Sequence, residues 1–130
     1  MTGGSTHGDP VGRRSRRWGV AVVRGRSMEP TLREGDRLLV LHGGVPRTGR
    51  IVVVRLPDGV LAVKRATRRE DAGWWVERDN PRAGVDSWTV GVVPDVDVVA
   101  VALLRFWPLP SRLVPRPNPS NGQTDARTPR

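Results

Sequence analysis

The stretch that most constrains the fold is a hairpin. Ile51-Val52-Val53-Val54-Arg55-Leu56 and Val60-Leu61-Ala62-Val63-Lys64-Arg65-Ala66 are β-branched, apolar runs on either side of Pro57-Asp58-Gly59, a turn signal between two strand formers. Reading Asp58-Gly59 as a two-residue turn sets a register: Lys64 opposite Val53, with Ala62 and Ala66 beside it on the same face. Leu61 and Val63 then share the other face with Val52, Val54 and Leu56. Such a hairpin needs further strands to cover it, because two strands alone are not stable in water.

The chain supplies them. Strand-like runs occur at Trp18–Arg24, Arg37–Leu41, Trp74–Glu77, Thr89–Val93 and Val96–Phe106, with turns at His42-Gly43-Gly44 and through the polar segment 78–88. Thr31-Leu32-Arg33-Glu34 has the form of a capping box, but Gly35-Asp36 leaves room for one helical turn at most. Many short strands and little helix predict a mainly β domain, a small, partly open barrel of coiled sheets, over residues 18–107. Residues 1–17 read as a disordered basic N-terminal tail and 108–130 as a Pro-rich flexible C-terminal tail.

The chain has 130 residues, room for one core. It has no cysteine, which excludes disulfides, thiolate metal sites and a cysteine nucleophile. His7 lies in a Gly/Ser/Thr-rich tail and His42 before a Gly-Gly turn; both read as solvated, so no metal or other cofactor is expected. The longest uncharged runs fall far short of the roughly 20 residues that cross a bilayer, and the basic run Arg13–Arg17 precedes too short an apolar segment for a signal peptide. A soluble, cytoplasmic protein without a transmembrane anchor is the expectation. Net charge is +9, concentrated in the two tails. Those tails suit weak contact with acidic surfaces. The five tryptophans are not interleaved with a basic patch, so they read as packing residues and no stable nucleic-acid partner is expected.

Against 21 arginines there is one lysine, Lys64. Arginine stays protonated in any protein environment, whereas a desolvated lysine loses its proton readily and can act as a base. An ordinary lysine, with a pKa of about 10.4, is neutral only about once in 2,500 at pH 7. An apolar floor of Ala62 and Ala66 raises that fraction. A partner for such a base stands in Gly25-Arg26-Ser27-Met28-Glu29-Pro30-Thr31-Leu32. There the hydroxyl of Ser27 is delivered by the first strand and held on a bend by Glu29-Pro30.

Taken in order, Gly25-x-Ser27-Met28-x-Pro30-Thr31-Leu32, Gly35-Asp36, Ile51–Val54, Val63-Lys64-Arg65 and Asp79-Asn80…Asp86-Ser87…Gly91 resemble the signal-peptidase-like serine proteases (peptidase S24/S26 type) that use a Ser–Lys dyad. The resemblance covers roughly residues 18–107. The short chain, compact hairpin and closing Arg105-Phe106-Trp107-Pro108 are most similar to the actinobacterial proteases that mature nickel-type superoxide dismutase. The resemblance implies Ser27 as nucleophile, Lys64 as general base and the Ser27 backbone N–H as an oxyanion donor. It implies an extended substrate paired with strand edges, with Met28 and Val53 as pocket wall. Two departures stand out: Gly25 replaces a hydroxyl residue that completes the oxyanion hole, and Gly84 replaces a serine that orients the lysine, for which Ser87 is a substitute. Asp79 and Asp86 match family positions and read as salt bridges and caps that fix the scaffold.

The leading expectation is therefore a cytoplasmic Ser–Lys endopeptidase that removes an N-terminal extension from a precursor polypeptide, nickel superoxide dismutase. A general signal peptidase acting on secreted proteins is the rival within the class. A small basic β-barrel that binds nucleic acid is the rival outside it, and it leaves the lone lysine without a role.

Overall fold

The computed structural model describes residues 16–83 and 87–115. They form a curled, half-barrel sheet of eight strands: β1 (Arg17–Val22), β2 (Arg37–His42), β3 (Ile51–Arg55), β4 (Leu61–Glu70), β5 (Gly73–Glu77), β6 (Val93–Pro94), β7 (Val98–Trp107) and β8 (Ser111–Arg112). The order across the sheet is β1-β2-β7-β3-β4-β5-β6, with β8 on β7, and every pairing is antiparallel. The mainly β architecture with little helix is the one the sequence predicts.

β3 explains why the hairpin carries an unbroken apolar run. It lies between β7 and β4, and its two faces feed two cores. Ile51 and Val53 pack with Val23, Met28, Leu32, Leu38, Val40, Val63, Ala100, Ala102 and Leu113. Val52 and Val54 pack with Ala66, Trp74, Val76, Val93, Val98 and Val101. Its first four positions are all buried, which leaves none of them for a polar residue.

The register of this hairpin differs from the expectation. Lys64 pairs with Val52, and Val53 with Val63. The loop is longer than two residues: the Gly59 N–H donates to the Leu56 carbonyl (2.7 Å) and the Leu56 N–H to the Val60 carbonyl (2.9 Å). Gly59, at φ +89°, takes the left-handed position that a three-residue loop requires. One extra loop residue shifts the pairing by one.

Three other elements depart from the sequence reading. Residues expected as a strand from Thr89 begin instead as a short helix, α1 (Ser87–Val90), followed by a two-residue β6. A 3₁₀ turn at Asp95–Asp97 precedes β7. The sheet also continues beyond Pro108: Leu104 pairs with Arg112, Arg105 with Ser111, and Leu113 is buried in the first core. That apolar side chain after a proline-rich turn is what holds residues 108–115 to the sheet.

Among the described residues no helix is long and apolar enough to cross a membrane. Leu32 is fully buried beneath the loop that follows β1, so Leu32→Ala removes packing that neighbouring strands cannot refill. It is expected to cost about 2–5 kcal/mol in urea unfolding; a loss below about 1 kcal/mol would show that this loop does not share the core.

Candidate active site

The loop between β1 and β2 is tied at its base and weighted from below. The Val23 N–H donates to the Asp36 carbonyl (2.9 Å) and the Gly35 N–H to the Val23 carbonyl (2.8 Å), closing the neck. Asp36, itself buried, accepts from the Arg33 N–H (2.9 Å) and from Arg105 (3.3 Å). Met28 and Leu32 then plug the loop into the core, and the Leu32 N–H donates to the Met28 carbonyl (2.9 Å). Gly25 enters the loop at φ +77°, a conformation that favours glycine. Ser27 is left on the rim, half-buried.

β4 brings the lysine to it. The Lys64 Nζ donates to the Ser27 Oγ at 3.2 Å, across 37 positions of sequence, and Lys64 is only 2% exposed. Burial disfavours the ammonium relative to the amine. In the neutral form the same pair can reverse roles, with the hydroxyl donating to the nitrogen lone pair.

Both side chains open onto a groove of about 710 Å³. Gly25, Val53, Val63, Val99 and Leu61 line it, with Arg24 and Arg26 at the rim. The groove is mostly apolar, with few polar groups. Val53 takes the position expected of a pocket wall. Met28 does not: at 1% exposure it is core beneath the serine, not part of the groove lining. His42, expected as a solvated turn residue, ends β2 and lines the groove; its Nε2 would lie 2.7 Å from a Cβ placed on Gly19. Asp86 and Gly84 lie outside the described residues, as does the side chain of Ser87. No group of three or more His, Asp or Glu side chains is gathered as a metal site among the described residues.

Beside Lys64 in the chain is one half of a buried ion pair whose partners the sequence pattern did not match to each other. Arg65, next in the chain to Lys64, donates to Asp79 through Nε (3.0 Å) and Nη2 (2.7 Å), and both side chains are at most 5% exposed. Thr31, four residues past Ser27, donates to Asp79 as well (2.6 Å), and Arg65 Nη1 donates to the Gly49 carbonyl (2.8 Å). A buried guanidinium and carboxylate are tolerated when their hydrogen bonds are filled in this way. The signal that could have found the pair was the adjacency of Arg65 to the lone lysine and of Asp79 to Asn80.

A serine hydroxyl and a buried amine are thus in contact beside an apolar groove on a curled β-sheet. The Peptidase S24-like family model matches residues 6–102, and the chain belongs to that family of serine peptidases. No curated protein matches the chain.

Removing one partner of the ion pair strands the other in the interior. Asp79→Ala is expected to destabilise the protein by about 3–5 kcal/mol, and Arg65→Met by a similar amount. The double variant Arg65→Met/Asp79→Leu should cost clearly less than the sum of the two singles in urea unfolding. Additive losses would contradict the pairing.

Proposed function

We propose that the protein is a serine endopeptidase in which Ser27 is the nucleophile and Lys64 the general base, and that it removes an N-terminal extension from a precursor polypeptide. The observation that carries this reading is the 3.2 Å contact between the Ser27 Oγ and the only lysine of the chain, buried at the groove. Burial favours the neutral amine, the form in which a lysine works as a base.

Neutral Lys64 takes the Ser27 proton as the Oγ attacks the scissile carbonyl, and the resulting ammonium returns it to the leaving amine. The Ser27 N–H donates to the oxyanion of the tetrahedral intermediate. Water then attacks the acyl-enzyme ester, with Lys64 again accepting a proton. Gly25 offers no side-chain hydroxyl to the oxyanion, so backbone donors carry that task.

The substrate we propose is the precursor of nickel-type superoxide dismutase. Its support is the pattern of the compact hairpin and the Arg105-Phe106-Trp107-Pro108 stretch. A groove with apolar walls fits an extended cleavage segment that carries small or aliphatic side chains.

The test is cleavage of that precursor by the full chain, with products read by mass spectrometry. One cut is expected, lost in Ser27→Ala and in Lys64→Ala. Lys64→Arg should be equally inactive, because arginine cannot give up its proton; activity retained in that variant would rule out lysine as the base. The sign of the pH dependence follows from the base being active only when neutral: kcat/KM should fall as pH falls and Lys64 takes up a proton. An intact precursor would leave the dyad to be tested on other polypeptides and would remove this substrate.

A further inference from the structure

The chain that follows Asp79 reaches back to the serine. The Asn80 N–H donates to the Ser27 carbonyl (2.8 Å), and Asn80 Nδ2 donates to the Arg26 carbonyl (2.9 Å). Its Oδ1 accepts from the Arg82 N–H (3.0 Å). A backbone N–H can only donate and a carbonyl can only accept, so these two contacts fix which end of the amide is which. Asn80 thus holds two successive carbonyls, one on each side of the Ser27 Cα; the Arg26 carbonyl also accepts, at a longer 3.2 Å, from the Glu29 N–H within the loop.

The Arg26–Ser27 peptide bond is trans, so the Arg26 carbonyl and the Ser27 N–H share one plane and point in opposite directions. Holding the carbonyl therefore aims the N–H. Asn80 lines a second cleft with Glu29, Pro30, Arg82 and Ala83, and the only lining residue this cleft shares with the groove of Ser27, Lys64 and Val53 is Arg26. With the carbonyl drawn toward Asn80, the N–H points away from Asn80. Among the described residues, it is not spent on a backbone carbonyl.

We propose that Asn80 is a positioning residue for the oxyanion hole: by fixing the Arg26–Ser27 peptide plane, it points the Ser27 N–H at the place where charge develops. The inference rests on the Ser27–Lys64 reading. Because Gly25 contributes no hydroxyl, the aim of this backbone donor governs transition-state stabilisation more strongly than in a hole with a side-chain donor. The Arg65–Asp79 pair extends the effect, since it fixes Asn80 relative to Lys64 as well as to Ser27.

Asn80→Asp tests this with little change of shape. It keeps the backbone N–H to Ser27 and an acceptor for Arg82, and replaces the donor to the Arg26 carbonyl by an oxygen that repels it. The probe is an alkyl fluorophosphonate, which needs no knowledge of the peptide substrate: Ser27 Oγ bonds to phosphorus, fluoride leaves, the serine proton passes to Lys64, and the phosphoryl oxygen occupies the oxyanion site. Labelled Ser27 is identified by mass spectrometry. In Asn80→Asp and Asn80→Ala the maximal labelling rate is expected to fall about 10- to 100-fold, part of the effect of deleting an oxyanion donor outright. The concentration for half-maximal rate should stay within about threefold, and the urea midpoint close to that of wild type. Unchanged labelling rates in both variants overturn the role of Asn80 alone. Equal losses in apparent affinity and rate, with a collapsed urea midpoint, also overturn it, because they describe a scaffold residue. Absence of Ser27 labelling in wild type, or labelling that persists in Ser27→Ala, overturns the Ser–Lys reading itself.

Discussion

The Arg65–Asp79 ion pair is the contact on which the site depends. Three segments far apart in sequence meet at it: β4 carrying Lys64, the loop after β1 carrying Ser27 and Thr31, and the turn carrying Asn80. Lys64 is next in the chain to Arg65, and Ser27 lies four residues from Thr31, which donates to Asp79. A buried pair of this kind adds little net stability over apolar residues of the same volume, but it penalises any arrangement in which either charge lacks its partner. Its contribution here is to make one relative placement of hydroxyl and amine far better than its neighbours.

The sheet supplies the rigidity that this placement needs. β3 is covered on both faces, and β7 runs beside it between the two cores, so β4 is registered against a strand that cannot shift without exposing valines to water. The serine loop is held differently, by two buried side chains beneath it and a closed neck. The groove falls between these two supports. Its apolar walls are the exposed edges of core strands, which explains why Val53 serves both the core and the groove.

Much of this was legible in the chain, for reasons that differ by element. The lone lysine among arginines marked the position that the fold brings into contact with Ser27, and the alternation of short apolar runs with Gly- and Asp-rich turns marked a β fold. The register of the hairpin was not legible, because Pro57-Asp58-Gly59 is compatible with loops of two or three residues, and only packing chooses between them. The strand order, with β7 inserted between β2 and β3, is set by contacts between residues distant in sequence. β8 was hidden because Leu113 follows prolines and arginines that read as a tail. Met28 was read toward the groove because it adjoins Ser27; its full burial reflects the turn that carries the chain from rim to core within one residue. The hold of Asn80 on the Arg26 and Ser27 carbonyls, one through its side-chain amide and one through its backbone N–H, joins segments far apart in sequence, which local residue identity does not announce.

The measurement that bears most directly on the central claim uses the composition of the chain. With one lysine present, a sample carrying ¹³Cε-labelled lysine gives a single side-chain methylene NMR signal, and its pH titration reports the protonation of Lys64 alone. The account predicts that the neutral fraction of Lys64 and the rate at which Ser27 reacts rise together along one curve. A Lys64 signal that stays fully charged across the pH range in which Ser27 reacts would contradict it.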